Sequence, residues 1–284
     1  MNELASSNRQ RMSCMEIWGG NRAIETSFES PGLDIYVHSQ PYQRNDAGGD
    51  IYYLTSCASG RISRLLLADV SGHGEEVSHL AIALRDLMRA NVNKISQQQF
   101  VQGINREFGA VSEESGFATA VVATYFEPKN KLSISAAGHP YPIYYRASRE
   151  TWVHLDPAEP DKGLSNLPLG IHDESGYPGR SIATEHGDMF LLYSDAFIES
   201  LTDAAKPIGI EGLVEILNAK STIDPAEIIP WVCDHLRTLS PDNLSSDDAT
   251  LILGHITSTK VRLRDNLIAP IRLLGNVKDA TRWK

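Results

Sequence analysis

The run Leu65-Leu66-Leu67-Ala68-Asp69-Val70-Ser71-Gly72-His73-Gly74 decides the fold class of this 284-residue chain. Its apolar first half predicts a buried strand, and the glycines that follow allow the backbone to turn sharply and to approach a ligand. Asp69 is therefore expected at the end of a core strand, where its carboxylate would face the edge of a site.

Three further acidic motifs also lie at predicted strand boundaries. They are Gly48-Gly49-Asp50, Tyr193-Ser194-Asp195 after the apolar run 189–192, and Ser246-Asp247-Asp248 before the apolar run 249–253. An isolated Asp beside Gly is most often a turn residue, and Asp188 is left out of the site for that reason. Together the four motifs favour a metal centre, although from the residues alone a set of structural turns stays open as the alternative.

The chemistry of such a centre follows from its ligands. Carboxylates are hard oxygen donors that suit Mg²⁺ or Mn²⁺, whereas Zn²⁺ prefers His and Cys. Converging carboxylates repel one another unless cations neutralise them, and the bound cations then attract a phosphate. Two such ions can activate a water for phosphate hydrolysis without a side-chain nucleophile.

The hydrophobic periodicity outlines the fold. It predicts strands over 33–38, 51–55, 61–70, 118–126, 132–136, 141–145, 152–155, 189–194 and 249–256. It predicts helices after Gly74, over 97–111, 210–219 and 225–239, and an irregular surface segment over 157–179. Strands 51–55 and 61–70 are expected to pair antiparallel because the turn between them is short. Since strands and helices do not alternate regularly, we predict an α+β sandwich of antiparallel sheets covered by helices.

Bulk composition excludes several classes of protein. A formal net charge of −10 argues against a nucleic-acid surface. The N-terminus lacks the zones of a secretory signal, and no apolar stretch approaches the roughly 20 residues that cross a bilayer. Cys14, Cys57 and Cys233 are far apart and form no Cys-x-x-Cys pair. We therefore expect a cytoplasmic protein with no nucleic-acid or membrane partner.

Six ordered motifs resemble those of one phosphatase family. They are Ala47-Gly-Gly-Asp50, Asp69-Val-Ser-Gly-His-Gly74, Ala137-Gly-His-Pro140, Leu167-Pro-Leu-Gly170, Tyr193-Ser-Asp195 and Asp247-Asp-Ala-Thr250. Over roughly 33–256 the chain resembles the metal-dependent (type 2C) Ser/Thr protein phosphatases, most of all their bacterial SpoIIE/RsbU-like branch. The resemblance implies an α-β-β-α sandwich with two Mn²⁺ or Mg²⁺ ions. The chain is thus expected to have an N-terminal extension over 1–30, a phosphatase domain over 31–257 and a C-terminal tail over 258–284, where the spacing of Leu263, Leu267 and Ile271 predicts a helical part.

The resemblance also implies roles for individual residues. Asp50 and Asp69 are expected at the shared metal core as the catalytic acids, with the carbonyl of Val70 as a further ligand. Asp195 and Asp247 are expected to complete the shell of the second metal. Asp248 is expected to orient water or a ligand, although the Asp247-Asp248 doublet leaves this assignment open by one residue. The implied reaction is direct attack of metal-bound hydroxide on phosphoserine or phosphothreonine, without a phosphoenzyme.

Three residues have competing interpretations. His73 is a candidate proton carrier or donor to phosphate, but a local hydrogen bond in the Gly-His-Gly turn explains it as well. Arg44 is a candidate phosphate ligand, although a solvated loop arginine is the more ordinary interpretation. Ala196 stands where the family commonly has glycine, so a required positive φ there would alter the second metal position.

Three functions follow from these observations. The first is an active phosphatase of a bacterial partner-switching system, acting on a phosphorylated STAS-type anti-sigma-factor antagonist. The second is a non-catalytic phosphatase-like binding module, which a lost second metal would favour. The third is a two-metal nucleotide cyclase, weakened because no Gly-rich phosphate loop followed by Lys is present. Control is expected from a separate regulatory protein, from self-association as a homodimer or from the N-terminal segment, with an uncontrolled enzyme as the remaining alternative.

Overall fold

Two packed β-sheets, each covered on its outer face by helices, form the body of the protein. The structure is a computed structural model that describes residues 9–12, 17–57, 60–71, 75–92, 94–112, 116–155, 164–220 and 224–261. Within these ranges the layers follow the order helix, sheet, sheet, helix, which confirms the predicted α-β-β-α sandwich.

Thirteen strands and five α-helices lie within the described part of the chain. The strands are β1 (Arg9–Arg11), β2 (Ile17–Gly20), β3 (Ile24–Ser30), β4 (Leu33–Gln40), β5 (Asp50–Cys57), β6 (Ile62–Val70), β7 (Ala118–Phe126), β8 (Lys131–Ala137), β9 (Ile143–Arg146), β10 (Thr151–His154), β11 (Arg180–Ala183), β12 (Met189–Tyr193) and β13 (Ala249–Ile256). The helices are α1 (Glu75–Asn91), α2 (Gln97–Val111), α3 (Ala196–Glu199), α4 (Gly209–Ala219) and α5 (Pro225–Leu239).

The two sheets differ in their number of strands, and nearly all of their strand pairs are antiparallel. One has seven strands in the order β1-β3-β4-β13-β12-β9-β10, and the other has six in the order β11-β8-β7-β6-β5-β2. The single parallel pair among these is β1 with β3. The predicted hairpin is confirmed, since β5 pairs antiparallel with β6 along its whole length.

Three hydrophobic clusters hold the layers together. Alternate side chains of β4 and β6, such as Ile35, Val37 and Leu67, pack between the sheets. On the outer face of the six-stranded sheet, α1 and α2 pack through residues such as Leu84 and Phe108. On the outer face of the seven-stranded sheet, α4 and α5 bury their apolar sides. Both sheets are therefore shielded on both faces, and loops at the ends of the strands are left to form a site.

The structure also contains strands that the periodicity does not predict. β3 buries alternate residues, but its sequence is rich in Ser, Thr and Glu, so its pattern is weak. β11 has four residues and lies at the edge of its sheet. Within the extension predicted over 1–30, β1 and β3 join the seven-stranded sheet and β2 joins the six-stranded sheet. Of the predicted C-terminal tail, 262–284 lies outside the described residues.

None of the helices in the described ranges has the length and apolar content that crossing a bilayer requires.

Candidate metal centre

Strand pairing brings the first two predicted acids together. In the β5–β6 hairpin Asp50 lies directly opposite Asp69, at the end remote from the turn. Opposed residues point to the same face of a sheet, and the two-residue period places both acids on the face that carries Tyr52 and Leu67. Because Tyr52 and Leu67 pack between the sheets, Asp50 and Asp69 point into the same layer.

The seven-stranded sheet supplies the other acids. Tyr193, the last residue of β12, pairs with Leu251 near the start of β13. Asp195 follows β12, and Asp247 and Asp248 precede β13, so the three acids lie at the same end of this sheet. The charges of all three raise the pKa of Asp69. The two sheets therefore gather five carboxylates at one edge of the sandwich.

The Asp248 carboxylate is fixed by main-chain groups. Its Oδ1 accepts a hydrogen bond from the Tyr42 N–H at 2.6 Å, and its Oδ2 accepts one from the Gly49 N–H at 2.5 Å. A Cβ at Gly48 would lie 2.3 Å from Oδ1, so the close approach requires glycine there. Asp247 is exposed, and its Oδ1 accepts from the Asp248 N–H at 2.8 Å.

Gly49 lies among three of the candidate donor oxygens. A Cβ at Gly49 would lie 3.3 Å from Asp248 Oδ2, 3.3 Å from Asp69 Oδ1 and 3.5 Å from the carbonyl oxygen of Val70. Two carboxylates and one main-chain carbonyl thus surround the same small volume. These are the hard oxygen donors that divalent cations prefer.

Asp50 is a buried acid with an unpartnered oxygen. Only 4% of the residue is exposed, and its Oδ2 has no hydrogen-bond partner. Burial raises the pKa of Asp50 well above its usual range, and the charges of Asp69 and Asp248 raise it further. Hydrogen bonds from the side chains of Ser194 and Thr250 act in the opposite direction. An ionised Asp50 therefore needs a cation to compensate for its lost hydration.

The neighbouring acids show the same electrostatic pattern. Burial, followed by the charges of Asp195, Asp247 and Asp248, raises the pKa of Asp69 to about 6. Burial and the charge of Asp247 also raise the pKa of Asp195. Each carboxylate thus makes it harder for the others to ionise, which is the behaviour of an acidic cluster built to receive positive charge.

The donor set fits a hard divalent cation. In the ranges that the structure describes, no three Asp, Glu, His or Cys side chains are arranged as a complete metal-binding group. The fit rests instead on the unpartnered buried oxygen of Asp50, on the oxygens around Gly49, and on the mutual elevation of the carboxylate pKa values. All the donors are oxygens, which favours Mg²⁺ or Mn²⁺ over Zn²⁺.

Ala196 causes no strain beside Asp195. It is the first residue of α3, and it is not among the described non-glycine residues with positive φ. The residue after Asp195 thus has ordinary helical geometry, which alanine adopts freely. The absence of glycine at this position therefore does not by itself distort Asp195.

The side chains of two predicted site residues lie outside the described part of the chain. His73 lies in 72–74, outside the described residues, so its predicted role stays a prediction. Arg44 ends a short 3₁₀ helix over Tyr42–Arg44. Its backbone therefore lies close to the Tyr42 N–H, which donates to the Asp248 carboxylate. The side chain of Arg44 is outside the described part of the chain, and its predicted contact with phosphate stays a prediction.

One supporting residue is not evident from the sequence. The Asn21 carbonyl accepts from the Gly48 N–H at 2.8 Å, and the Asn21 side chain donates to the Gly48 carbonyl at 2.9 Å. These two hydrogen bonds hold the Gly48-Gly49 segment, which contacts the Asp248 carboxylate. The only hint in the sequence is the Trp18-Gly-Gly-Asn21 turn signal, which by itself marks a loop.

Asp188, which is predicted to be a turn residue outside the site, lies at the opposite end of β12. Its carboxylate accepts hydrogen bonds from the Tyr144 hydroxyl at 2.6 Å and from the N–H groups of Ala147 and Glu185 at 2.9 and 2.8 Å. Its oxygens are satisfied within the protein, so Asp188 stabilises the loops at that end.

Comparisons with known proteins identify the family of the chain. The model of a family described as Stage II sporulation protein E (SpoIIE) matches residues 59–257. The phosphoserine phosphatase RsbU of Bacillus subtilis (strain 168) is 26% identical over 229 residues, which cover 79% of this chain and 64% of RsbU. The chain thus spans slightly less than two thirds of that relative.

Solved structures share the fold. The RsbU and RsbW domains of Rv1364c from Mycobacterium tuberculosis superpose with a TM-score of 0.65 at 24% identity, over 81% of this chain and 63% of that one. RsbX, crystallised in complex with magnesium, superposes with a TM-score of 0.60 at 14% identity, over 82% of this chain and 100% of RsbX. These similarities extend the sandwich architecture to proteins of very different sequence.

Proposed function

The chain belongs to the Stage II sporulation protein E (SpoIIE) family, and from this premise we propose that it is a metal-dependent phosphoserine and phosphothreonine protein phosphatase. The main support is the meeting of carboxylates from both sheets beside the buried, unpartnered oxygen of Asp50. The similarity to RsbU, which is named a phosphoserine phosphatase, supports the same substrate class.

Five residues are proposed to hold two Mg²⁺ or Mn²⁺ ions. They are Asp50, Asp69, Val70 through its carbonyl, Asp195 and Asp247. Asp50 and Asp69 lie opposite each other on one sheet, whereas Asp195 and Asp247 adjoin strand ends of the other, so the ions would join the sheets. When bound, such ions supply Lewis-acid polarisation of a phosphoryl group and activation of water.

Asp248 has a different proposed role. Both of its oxygens accept main-chain N–H groups of the 42–49 segment, which fixes the carboxylate against that segment. We assign to Asp248 the task of holding Gly49 next to Asp69. Within the doublet we propose Asp247 as the ligand, because Asp247 is the more exposed of the two.

The chain's own residues also prepare the site for phosphate. Asp50 is kept from water by burial, so a cation beside it meets little competing hydration. Arg44 is proposed to bind a phosphate oxygen, because its backbone follows the Tyr42 N–H group that contacts the Asp248 carboxylate. His73 is proposed to hydrogen-bond within the turn that follows Asp69 or to carry a proton.

The proposed substrate is a phosphorylated protein of a bacterial partner-switching system. A STAS-type anti-sigma-factor antagonist is the class that the resemblance to the SpoIIE/RsbU-like branch suggests. A separate regulatory protein and a homodimer are the proposed means of control, and a cytoplasmic location is proposed with them.

A non-catalytic binding module is the alternative. It would be favoured if Ala196 emptied the second metal position. Because Ala196 begins α3 with helical geometry, alanine at this position gives no steric reason for the loss of the second metal. We therefore keep catalysis as the proposed function.

Hydrolysis of an aryl phosphate in the presence of Mn²⁺ tests the proposal. The parent protein is expected to be active, and Asp69→Asn is expected to lose at least about 10²-fold in kcat, the order found when one main electrostatic contributor is removed. Asp242→Asn is the matched control, because it removes an exposed carboxylate from the loop before Asp247. The control should retain parental activity.

Two results would contradict catalysis. One is the absence of turnover in the parent at saturating Mn²⁺. The other is equal turnover in the parent and in Asp69→Asn.

A further inference from the structure

His139 bridges the two sheets beside the acidic cluster. The residue is buried, with 7% exposed. Its Nε2 lies 3.0 Å from the carbonyl oxygen of Tyr193, and its Nδ1 lies 3.0 Å from Oγ1 of Thr119. A carbonyl oxygen can only accept, so Nε2 must bear the hydrogen. Burial lowers the pKa of His139 to about 4, so the ring is neutral at neutral pH and Nδ1 accepts from the Thr119 hydroxyl.

Both partners of His139 lie next to proposed metal ligands. Thr119 on β7 is the cross-strand neighbour of Asp69 on β6. Tyr193 ends β12, two residues before Asp195. The imidazole therefore connects the strand beside Asp69 with the point where the chain leaves the opposite sheet toward Asp195.

The local backbone explains why the ring points inward. Gly138 has φ +68°, and a Cβ there would lie 2.7 Å from Cγ of Pro168. Its N–H donates to the Asn166 carbonyl at 2.7 Å. Only glycine suits this left-handed turn against Pro168. Beyond the turn, the Tyr141 carbonyl accepts from the Tyr193 hydroxyl at 2.9 Å, so Tyr193 is held at its main chain and at its side chain.

We propose that His139 is a positioning residue that fixes the end of β12 relative to Asp69 and thereby sets the affinity of the centre for divalent cations. The inference rests on the proposed function. His139 itself is not proposed as a metal ligand or proton carrier, because both ring nitrogens are occupied by protein groups. Residues that orient metal ligands typically change metal affinity by about 10- to 100-fold when replaced.

Two substitutions of His139 test its hydrogen bonds to Thr119 and to Tyr193 separately. Asn places its amide near the position of Nδ1, whereas Gln extends to the position of Nε2 and can still donate to Tyr193. We expect His139→Asn to weaken Mn²⁺ binding, measured by isothermal titration calorimetry, by about tenfold. His139→Gln keeps the hydrogen bond to Tyr193 but loses the one from Thr119, so its Mn²⁺ affinity should match that of Thr119→Val. The KM for aryl phosphate at saturating Mn²⁺ should be unchanged in both.

The Thr119 end has its own test. Thr119→Val removes the hydroxyl, whereas Thr119→Ser retains it. We expect Thr119→Val to weaken Mn²⁺ binding and Thr119→Ser to bind like the parent. Because both residues act through one bridge, Thr119→Val should add no further loss in the His139→Asn background.

Tyr144→Phe controls for general destabilisation. It removes the buried 2.6 Å hydrogen bond to Asp188 at the far end of β12, so urea stability should fall while Mn²⁺ affinity is retained. Equal Mn²⁺ affinity in His139→Asn, His139→Gln and the parent would overturn this inference and leave the proposed function intact. A parent that binds no Mn²⁺ would overturn both.

Discussion

Asp50 shows what an acidic site inside a protein requires. An ionised carboxylate that is buried without a full set of hydrogen bonds is strongly disfavoured. Asp50 is nearly inaccessible, its Oδ2 has no partner, and its pKa is raised chiefly by burial. Asp69 and Asp248 add repulsion. The residue thus reduces the stability of the metal-free fold, as expected for a group kept for function.

The raised pKa of Asp69 predicts how stability changes with pH. The folded protein holds the Asp69 proton up to a pKa of about 6, whereas the unfolded chain releases it near the ordinary value of 3.8. Between these values the unfolded state binds fewer protons, so this group lowers the free energy of unfolding as pH rises from about 4 to 6. Asp69→Asn removes that contribution, and its stability relative to the parent should increase across the same window.

Urea unfolding in the presence of a chelator, at several pH values between 4 and 7, measures this difference. The raised pKa of Asp195 acts in the same direction in both proteins. Because the charge of Asp69 also raises the pKa of Asp50, the comparison measures Asp69 together with its effect on Asp50. Parallel stability curves for the parent and Asp69→Asn would contradict the prediction.

At the scale of elements, Arg64 fastens the α1–α2 connection to β6. The side chain is 1% exposed, and its Nη1 donates to the Val92 carbonyl at 2.6 Å. Its Nη2 donates to the Lys94 carbonyl, and the guanidinium lies 4.6 Å from the centre of the Phe100 ring. A planar guanidinium can reach two carbonyls while stacking on a ring, which an ammonium cannot do.

Arg64→Lys should therefore destabilise the protein by about 1–3 kcal/mol, since a buried carbonyl loses a charged donor. Arg149→Lys, at an exposed 3₁₀ turn, is the matched control and should change stability by less than about 0.5 kcal/mol. Urea unfolding of both variants checks the prediction. An equal loss of stability in both variants would mean that the guanidinium hydrogen bonds of Arg64 do not hold the α1–α2 connection.

Long core elements could be predicted from the sequence, whereas short edge strands could not. The β5–β6 hairpin is marked by apolar runs because both of its faces are buried, and α2 is marked by helical periodicity because one face is buried along its length. β2 and β11 have four residues each and lie at the two edges of their sheet, so few of their positions are constrained by packing.

The site was predictable in part for a similar reason. Asp50, Asp69 and Asp195 lie at strand boundaries, where an apolar run ends or begins, so local sequence identifies them. The position of the Asp248 carboxylate depends on a hydrogen bond from Gly49, 199 positions away, and on the hydrogen bond that Asn21 makes to Gly48. The bridge made by His139 depends on Thr119 and Tyr193. Contacts of this kind are set by tertiary packing, which no local pattern contains.

For the whole molecule, the acidic cluster is a junction between the two sheets. Asp50 and Asp69 come from the six-stranded sheet, and Asp195, Asp247 and Asp248 adjoin strands of the seven-stranded sheet. Without cations their repulsion acts between the layers. Cations bound there would link the layers, so metal binding and the stability of the sandwich are expected to be coupled.

Asp50→Asn tests this coupling, because it should change stability in opposite directions with and without metal. In chelator, the variant should be at least as stable as the parent, since a neutral amide replaces a carboxylate whose pKa burial raises. With Mn²⁺ at about 100 times its Kd, the parent should gain about 2.7 kcal/mol of stability. The variant should gain far less, because it lacks the buried oxygen proposed to bind the ion.

Urea unfolding of the parent, Asp50→Asn and the Asp242→Asn control, each with chelator and with Mn²⁺, gives all six values. The control should follow the parent under both conditions, since it changes only an exposed carboxylate. If Asp50→Asn were less stable than the parent in chelator and gained as much from Mn²⁺, the carboxylate would be a structural hydrogen-bond acceptor. The opposite signs are expected because the same burial that disfavours the free carboxylate strengthens its attraction for a cation.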